Sequence, residues 1–435
     1  MMYSGSLENH PTTIALDTLG CKVNQAETEL LCRQLREAGC RIVPPAEKAD
    51  IYILNTCTVT HVADRKSRHW LRMARRRNPQ AYIIALGCYA DRAVEELSGL
   101  GGVDLVLGNE GKPNLPQLLQ SSGLLKSSHG IPCRVGPSRT RSFLKAQDGC
   151  NNFCTYCIVP IVRGREKSLP PRQVIAEARQ RVAEGYQEIV LTGTEIGRYL
   201  HQGLDLPGLL TALLAETGIR RLRLSSIQPQ EVNSSLVQLW RDRRLCRHFH
   251  ISLQSGSDSV LRRMERCYTA EDYAGAVDYL RGEIPEVAIT TDVITGFPGE
   301  TEQEFAESYD FCRRLEFARL HIFPYSPREG TRAASLPGQI APGVKKGRTE
   351  LMLSLAQTSR QNFQRRFLGR AHEVLFEQKI GGLWSDYTDT YIRAYVKGDL
   401  DLTNRLLPVK FIGLKGDGVR GEIIEESKKE KRDAC

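Results

Sequence analysis

From residue 13 to residue 107, short β-branched runs alternate with stretches of helical periodicity, and this rhythm limits the chain to a small set of folds. The runs are 13–18, 51–54, 81–86 and 103–107, and helical patterns begin near Asn24, Val62 and Asp91. Strands separated by helices predict an open parallel α/β sheet. In such a sheet the loops at the carboxyl ends of the strands share one rim, where ligands bind. Cys21, Cys57 and Cys88 each follow directly on one of the first three runs, in Leu19-Gly20-Cys21, Asn55-Thr56-Cys57 and Leu86-Gly87-Cys88. Three thiols far apart in sequence are thereby expected at one place, and the glycines before Cys21 and Cys88 allow backbone to approach a bulky inorganic group. Buried cysteines at strand ends are also ordinary core residues. Three in equivalent positions weigh against that reading, whereas Cys32 and Cys40 lack the placement and fit it.

The rhythm returns between residues 141 and 332, with runs at 142–146, 188–191, 221–225, 250–253, 288–293 and 320–324 and helical patterns between them, such as 171–184. Six such units predict a parallel, partly closed (β/α)6 barrel whose strand-end loops again gather functional groups. Directly after its first run stands Asp148-Gly149-Cys150-Asn151-Asn152-Phe153-Cys154-Thr155-Tyr156-Cys157, a C-x3-C-x2-C spacing. Three thiolates can hold three irons of a [4Fe–4S] cubane and leave the fourth open to a small molecule. Tyr156, between the second and third ligands, could shield one face of the cluster and lie near that molecule. Structural zinc normally takes four protein ligands from paired knuckles, and no C-x2-C partner pair occurs elsewhere in the sequence.

Between the two rhythmic stretches, residues 113–141 turn to Ser, Gly, Pro and Lys and read as a connection; Cys133 within it receives no role. After the barrel a helical stretch, 343–367, leads into residues 372–424, with extended runs at 374–377, 391–396 and 407–412 and several glycines. These predict a small β-barrel of the kind that often binds oligonucleotides. The charged tail from Glu426 is expected to be disordered.

A chain of 435 residues exceeds one ordinary core, so two to four domains are expected. No apolar run approaches the length of a membrane span, and residues 1–11 lack the basic and apolar segments of a signal peptide. Thirteen cysteines without an export signal imply a reducing, cytoplasmic setting in which clustered thiols serve as ligands or nucleophiles. Sixty Lys and Arg against 51 Asp and Glu give a formal charge of +9, concentrated in patches such as 61–80 with Arg75-Arg76-Arg77 and a second from Arg241 to Arg247. Such patches attract polyanions, although solvated helix faces are also basic.

Taken together, these motifs resemble the radical S-adenosylmethionine enzymes. The resemblance implies that Cys150, Cys154 and Cys157 bind a [4Fe–4S] cluster whose open iron chelates S-adenosylmethionine, and that reductive cleavage yields a 5′-deoxyadenosyl radical. Within that superfamily the chain is similar to the methylthiotransferases, in their usual order: an N-terminal domain (12–115), a linker (116–140), a radical domain with a helical extension (141–366), a TRAM domain (367–425) and a tail (426–435). Family-like stretches include Ile251-Ser252-Leu253-Gln254-Ser255-Gly256, residues 291–301 and residues 321–331. Thr18-Leu19-Gly20-Cys21-Lys22-Val23-Asn24-Gln25 resembles the branch that methylthiolates C2 of N6-threonylcarbamoyladenosine at tRNA position 37. C2 carries no leaving group and little nucleophilic character, which gives a radical route its chemical reason.

The resemblance further implies a second, auxiliary [4Fe–4S] cluster on Cys21, Cys57 and Cys88 that takes part in sulfur insertion, with two S-adenosylmethionine equivalents consumed. Gly193, Thr194, Glu195, Ser225, Ser226 and Gln254 stand where such barrels contact S-adenosylmethionine. Asn24 and Asn55 flank auxiliary cysteines and could donate to cluster sulfurs, and all of these could equally be turn or cap residues. In Leu224-Ser225-Ser226-Ile227-Gln228-Pro229 the chain departs from its branch, which usually has Glu before the proline; Gln228 keeps hydrogen bonding but loses the charge. For the tRNA anticodon stem-loop, the candidates are Arg75, Arg76, Arg77, Arg163, Arg165, Tyr387, Tyr391 and Lys410, with Arg163 and Arg165 near enough to the reacting centre to grip a phosphate or the threonyl carboxylate. An electron donor such as flavodoxin or ferredoxin is implied, no membrane is, and a monomer is favoured. The alternatives are methylthiolation of isopentenyladenosine, whose branch usually has Gln-Met-Asn in place of Lys22-Val23-Asn24, methylthiolation of a ribosomal-protein aspartate, and a non-catalytic iron–sulfur RNA-binding module.

Overall fold

The computed structural model describes residues 10–125 and 140–424; Cys133 and the charged tail lie outside them. The N-terminal sheet contains β1 (Thr13–Thr18), β2 (Arg41–Val43), β3 (Ile51–Thr56), β4 (Tyr82–Gly87) and β5 (Leu105–Leu107), all parallel, in the order β2-β1-β3-β4-β5. Every residue of β3 is buried, as an apolar run at the centre of a sheet covered on both faces must be. The short edge strand β2 was not among the predicted runs; three residues after Gly39-Cys40 carry too little pattern. Helices α1 (Lys22–Glu37), α2 (His61–Arg77) and α3 (Cys88–Arg92) follow β1, β3 and β4. Thr60 caps α2, its hydroxyl accepting from the Ala63 amide at 3.2 Å.

The barrel has β6 (Arg141–Lys145), β7 (Glu188–Thr192), β8 (Arg221–Leu224), β9 (His248–Ile251), β10 (Ala288–Thr295) and β11 (Arg319–Pro324). They form two parallel sheets, β8-β7-β6 and β9-β10-β11, that meet where Leu222 bridges to Leu245. Strand residues alternate between two environments. Leu144, Ile189, Leu191, Leu222, Leu224, Phe249, Ile251, Ile289, Val293 and Leu320 join the large apolar core with the surrounding helices. The residues between them, including Arg141, Glu188, Arg223, His248, His250, Thr290, Asp292, Arg319 and His321, line the lumen instead. The predicted run at 250–253 starts two residues late because His248 faces this polar interior, and a reading based on apolar runs passes over it.

Between α1 and the barrel the contact is direct. Glu29 Oε2 accepts from the Phe143 amide at 3.0 Å and the Ser142 hydroxyl at 2.8 Å, so a side chain of α1 satisfies the outer edge of β6. The helix Pro342–Arg365 then packs along β11 and leads into the C-terminal domain. Its strands are β12 (Ala371–Leu375), β13 (Gln378–Ile380), β14 (Leu383–Tyr387), β15 (Arg393–Val396), β16 (Leu406–Lys415) and β17 (Gly418–Ile423), in the order β12-β16-β17-β15-β14-β13, and a Val374–Thr388 bridge brings β12 against the end of β14. This is the small β-domain expected from the sequence, docked on the N-terminal ends of the barrel strands through Arg221 to Glu373 O (2.8 Å) and Arg223 to Thr388 O (3.0 Å) and Asp389 O (2.9 Å). Among the described residues no helix is long and apolar enough to cross a membrane.

Candidate active site

Cys150, Cys154 and Cys157 lie in the loop that leaves β6, with Cys150 and Cys154 buried. Gly149 makes the loop possible: its φ is +69°, and a Cβ there would sit 2.0 Å from Arg165 O. Thr155 clamps the loop against the following layer, its amide donating to Met264 O (3.1 Å), its hydroxyl to Arg263 O (2.9 Å) and its carbonyl accepting from Ala333 (2.8 Å). The Asn152 amide donates to Cys150 Sγ at 3.3 Å and Arg266 Nη1 to Cys154 Sγ at 3.2 Å. The thiols feel one another's charge; burial first, and then neighbours including Cys154, push Cys150 up to about 11 and Cys157 up to about 12. As free thiols they are protonated at neutral pH, so binding iron releases protons. Tyr156 packs against the apolar group of Val260, Met264, Phe297, Tyr325 and Ala333.

Beside this loop stand the residues after β7 and β8. Glu195 donates its amide to Gln147 Oε1 (2.8 Å), and its Oε2 accepts from Asn152 Nδ2 (2.9 Å) and Gln228 Nε2 (2.5 Å), 3.9 Å from Cys150 Sγ. The departure at Gln228 thus has a local reason. The Gln228 backbone N–H donates to Glu231 Oε2 (2.9 Å), and a glutamate side chain at 228 would add a third carboxylate beside two already buried, against Glu195 where the Gln now donates. Burial raises Glu195 above the usual range; burial, and then the nearby Glu195, push Glu231 up to about 8. Thr194 Oγ1 reaches Asp148 Oδ1 (3.2 Å), Gly193 leaves room for Gln147, and Ser225 Oγ is buried without a partner, next to half-buried Ser226. Gln254 holds φ +68°, fixed by its amide to Asp292 O (2.8 Å) and its carbonyl to Ile294 N (2.9 Å). Such a backbone at a non-glycine residue is strained and concentrates at functional sites.

The second thiol trio assembles at the rim of the N-terminal sheet. Cys21 precedes α1, Cys57 follows β3 and Cys88 opens α3. Gly20 (φ +103°) and Gly87 (φ +93°) turn the chain there, and a Cβ on Gly20 would fall 2.6 Å from Cys57 Cβ. Asn24 and Asn55 tie the loops to each other: Asn24 Nδ2 donates to Leu19 O (2.8 Å) and Thr56 O (2.9 Å), Asn55 Nδ2 to Asn24 O (3.0 Å) and Thr28 Oγ1 (3.1 Å). Burial, with contributions from the charges of Cys21 and Cys88, pushes Cys57 up to about 12. Among the described residues no three of His, Cys, Asp and Glu gather tightly enough for a single ion.

Both trios face the same junction. Cys88 packs with Ile158 and with Val162 of α4 (Val159–Arg163), the helix that follows Cys157. Asn109 Nδ2 lies 3.7 Å from Cys88 Sγ and donates to Val162 O (2.8 Å). Arg163, its side chain 2% exposed, joins Glu27 (3.0 Å) and Asn24 Oδ1 (2.5 Å) on the N-terminal side to Asp148 (2.8 Å) on the barrel side. Lys112 and Lys145 complete the lattice on Glu27 at 2.7 and 2.9 Å. Burial works against the Glu27 charge, but Lys112, Arg163 and Lys145 hold its carboxyl well below the usual range. Sequence reading missed Glu27, Lys112, Lys145, Asn109 and Arg266, whose partners are remote in sequence.

Comparison with known proteins gives this geometry a family. Residues 144–312 match the radical SAM superfamily, and residues 13–108 match the uncharacterized protein family UPF0004. The threonylcarbamoyladenosine tRNA methylthiotransferase MtaB of Bacillus subtilis (strain 168) is 37% identical over 92% of this chain and 94% of its own, and the protein of the same name from Thermotoga maritima is 38% identical over 95% and 98%. The chain belongs to the radical SAM methylthiotransferase family. A Moorella thermoacetica member, named tRNA-2-methylthio-N(6)-dimethylallyladenosine synthase, is 34% identical over 95% and 98%. The fold is also that of the radical S-adenosylmethionine methyltransferase TsrM from Kitasatospora setae (TM-score 0.53, 15% identity, 74% of this chain and 75% of that one).

A radical SAM methylthiotransferase works with S-adenosylmethionine and a [4Fe–4S] cluster, and the loop after β6, with Cys150 and Cys154 buried, Cys157 partly so and Gly149 turning the chain, fits such a group. Its surface cations are distributed unevenly. Arg75 is held by Gly102 O (3.0 Å), Ala81 O (2.7 Å) and Asp104 (2.6 Å), whereas Arg76 and Arg77 are exposed, Arg77 donating to Pro45 O (2.6 Å). Arg77 helps line a groove of about 650 Å³ with Arg65, Lys66 and Trp70. Arg165 is exposed with its guanidinium 4.6 Å over the Phe153 ring, and Lys410 is exposed on β16. Tyr387 and Tyr391 lie at the barrel floor, stacked at 4.4 Å; Tyr391 also stacks on His248 at 4.6 Å, and Tyr387 is buried.

Proposed function

We propose that this chain methylthiolates C2 of N6-threonylcarbamoyladenosine at position 37 of tRNA, using two [4Fe–4S] clusters and two equivalents of S-adenosylmethionine. The observation that carries the reading is the pair of thiol trios on either side of Arg163, one in the loop after β6 and one at the N-terminal rim. When bound, the clusters and S-adenosylmethionine would supply the radical and the methyl-bearing sulfur. Cys150, Cys154 and Cys157 would hold the radical cluster, with Asn152 and Arg266 donating to two of the sulfurs and fixing their direction. Cys21, Cys57 and Cys88 would hold the auxiliary cluster. Tyr156, Gly193, Thr194, Glu195, Ser225, Ser226 and Gln254 would bind S-adenosylmethionine. Arg76, Arg77, Arg165 and Lys410 would meet phosphates of the anticodon stem-loop, which position the RNA without reading it, while the modified base enters the barrel mouth. Arg75, Arg163, Tyr387 and Tyr391 are engaged inside the protein. The work divides among residues 12–115, 141–366 and 367–425, in a cytoplasmic monomer reduced by a flavodoxin or ferredoxin.

Nucleoside analysis of tRNA from cells lacking this protein tests the reaction. The 2-methylthio form of threonylcarbamoyladenosine should vanish and its precursor accumulate; loss from isopentenyladenosine instead would assign the chain to the other branch. Reconstituted protein should hold on the order of eight irons. Cys21→Ala should retain one cluster and cleavage of S-adenosylmethionine while losing sulfur insertion.

A further inference from the structure

The thiol loop after β6 turns its sulfurs inward and its largest side chain outward. Cys150 is 7% exposed, Cys154 9% and Thr155 5%, whereas Phe153, between the first two thiols, is 58% exposed. A single exposed apolar residue is ordinary on a protein surface, but this one is held in place. The guanidinium of Arg165, itself exposed, lies 4.6 Å over the Phe153 ring. The segment that carries Arg165 is laced to the thiol loop: the Cys150 amide donates to Gly164 O (3.1 Å), the Glu166 amide to Asn151 Oδ1 (3.3 Å), and residues 147–148 pair antiparallel with 167–168. Gly149 lets the two backbones touch, since a Cβ there would lie 2.0 Å from Arg165 O. Ring and guanidinium are therefore a fixed stacked pair on the outside of the loop at the carboxyl end of β6, the mouth of the barrel. Aromatic rings and arginine planes are the surfaces on which unpaired bases stack. A base drawn out of its stack to react leaves its neighbours without a partner, and a planar cation suits bases strung on phosphates.

We propose that Phe153 is a stacking platform for the nucleobase next to position 37 of the bound RNA, the base whose partner has left for the barrel. Arg165 covers one face of the ring and keeps its N–H edges for the adjoining phosphate, while the base takes the ring surface that remains open. This rests on the reading of tRNA as the substrate and adds the group that holds its loop in the opened form. It does not depend on which N6 substituent the adenosine carries.

Anticodon stem-loops with 2-aminopurine immediately 5′ or 3′ of position 37 test it on the full-length, iron-reconstituted protein, because stacking on a ring quenches the fluorescence of this base. One of the two probes should be quenched in the wild-type complex and brighten with Phe153→Ala, the other being indifferent to the substitution. By anisotropy, Phe153→Ala should weaken binding roughly 5- to 150-fold, the range for loss of one stacked base. The slope of affinity against salt should stay the same, because no charge is removed. Phe153→Trp should restore both quenching and affinity. A stem-loop abasic at the quenched position should bind wild type and Phe153→Ala within about twofold of each other. Iron content verifies that the thiol loop survives; if Phe153→Ala loses iron, Phe153→Leu, apolar and of similar bulk but without a ring, takes its place with the same expectations. A probe pair blind to loss of the ring overturns the proposal. Equal weakening toward the intact and the abasic stem-loops also overturns it, because Phe153 would then only shape the thiol loop. Failure of the underlying reading looks different: the wild type would bind the stem-loops no better than an unrelated hairpin, and both readings would fall together.

Discussion

Asp148 accepts from the Gly149 amide (2.8 Å), the Thr194 hydroxyl (3.2 Å), Arg163 (2.8 Å) and Lys145 (3.1 Å), so one carboxylate fixes the start of the thiol loop against three other elements. Titratable residues in the lumen are set by their surroundings just as firmly. Burial, with smaller contributions from His250 and Arg319 and against the pull of Asp292, lowers His321 to about 4. The native state therefore keeps His321 neutral while the unfolded chain takes up a proton near pH 6.5. Stability from this group is full above that pH and is lost as the pH falls toward 4, on the order of 3 kcal/mol in all. Urea denaturation at pH 7, 5.5 and 4.5 should show a shallower acid loss in His321→Gln than in the parent; identical slopes would exclude the role. At this scale the placement of the six cysteines in strand-end loops was legible, because spacing and position after strands are local signals. The bridge from Arg163, read from sequence as a contact for RNA, was not, since its partner Glu27 lies 136 residues away and nothing near either residue announces the other.

Among the elements, α1 does work that its amphipathic pattern does not reveal. It packs on its own sheet and also closes the outer edge of β6 through Glu29. Glu29→Ala leaves the Phe143 amide without its acceptor, which should cost about 1–3 kcal/mol and speed hydrogen exchange at Phe143; unchanged exchange there would show that the edge is protected otherwise. Apart from the short β2, the parallel strands of the first two domains were readable because each is a short extended run bounded by turns. Strand β17 was not. Gly418 and Gly421 look like turn residues, yet a Cβ on Gly418 would lie 2.1 Å from Arg393 O and one on Gly421 2.3 Å from Val409 Cγ1. They are glycines because neighbouring strands press against them, and a sequence shows the missing side chain without the neighbour that forbids it. Strands β13 and β14 were missed as well, being short and mixed in polarity.

In the whole molecule, the N-terminal domain is held to the barrel by buried charge as well as by apolar contact. Arg328, in the loop after β11, donates to Asp64 Oδ2 (2.6 Å) and Thr58 Oγ1 (2.9 Å), and both side chains of the ion pair are almost wholly buried. Arg92 shares Asp64 at 3.0 Å. Arg328→Ala should cost about 3 kcal/mol, since Asp64 keeps one cation, and should expose the N-terminal domain to proteolysis ahead of the barrel; simultaneous cleavage of both would show that docking does not depend on this pair. The lattice around Arg163 has a further consequence. A guanidinium fork tolerates little misalignment, and here it spans two domains whose thiols must meet at one junction. The halves therefore behave like lock components cut to a single key: an exchange or redesign of either one has to carry Asn24 and Glu27 in step with Asp148 and Arg163, or the two thiol trios lose their common alignment.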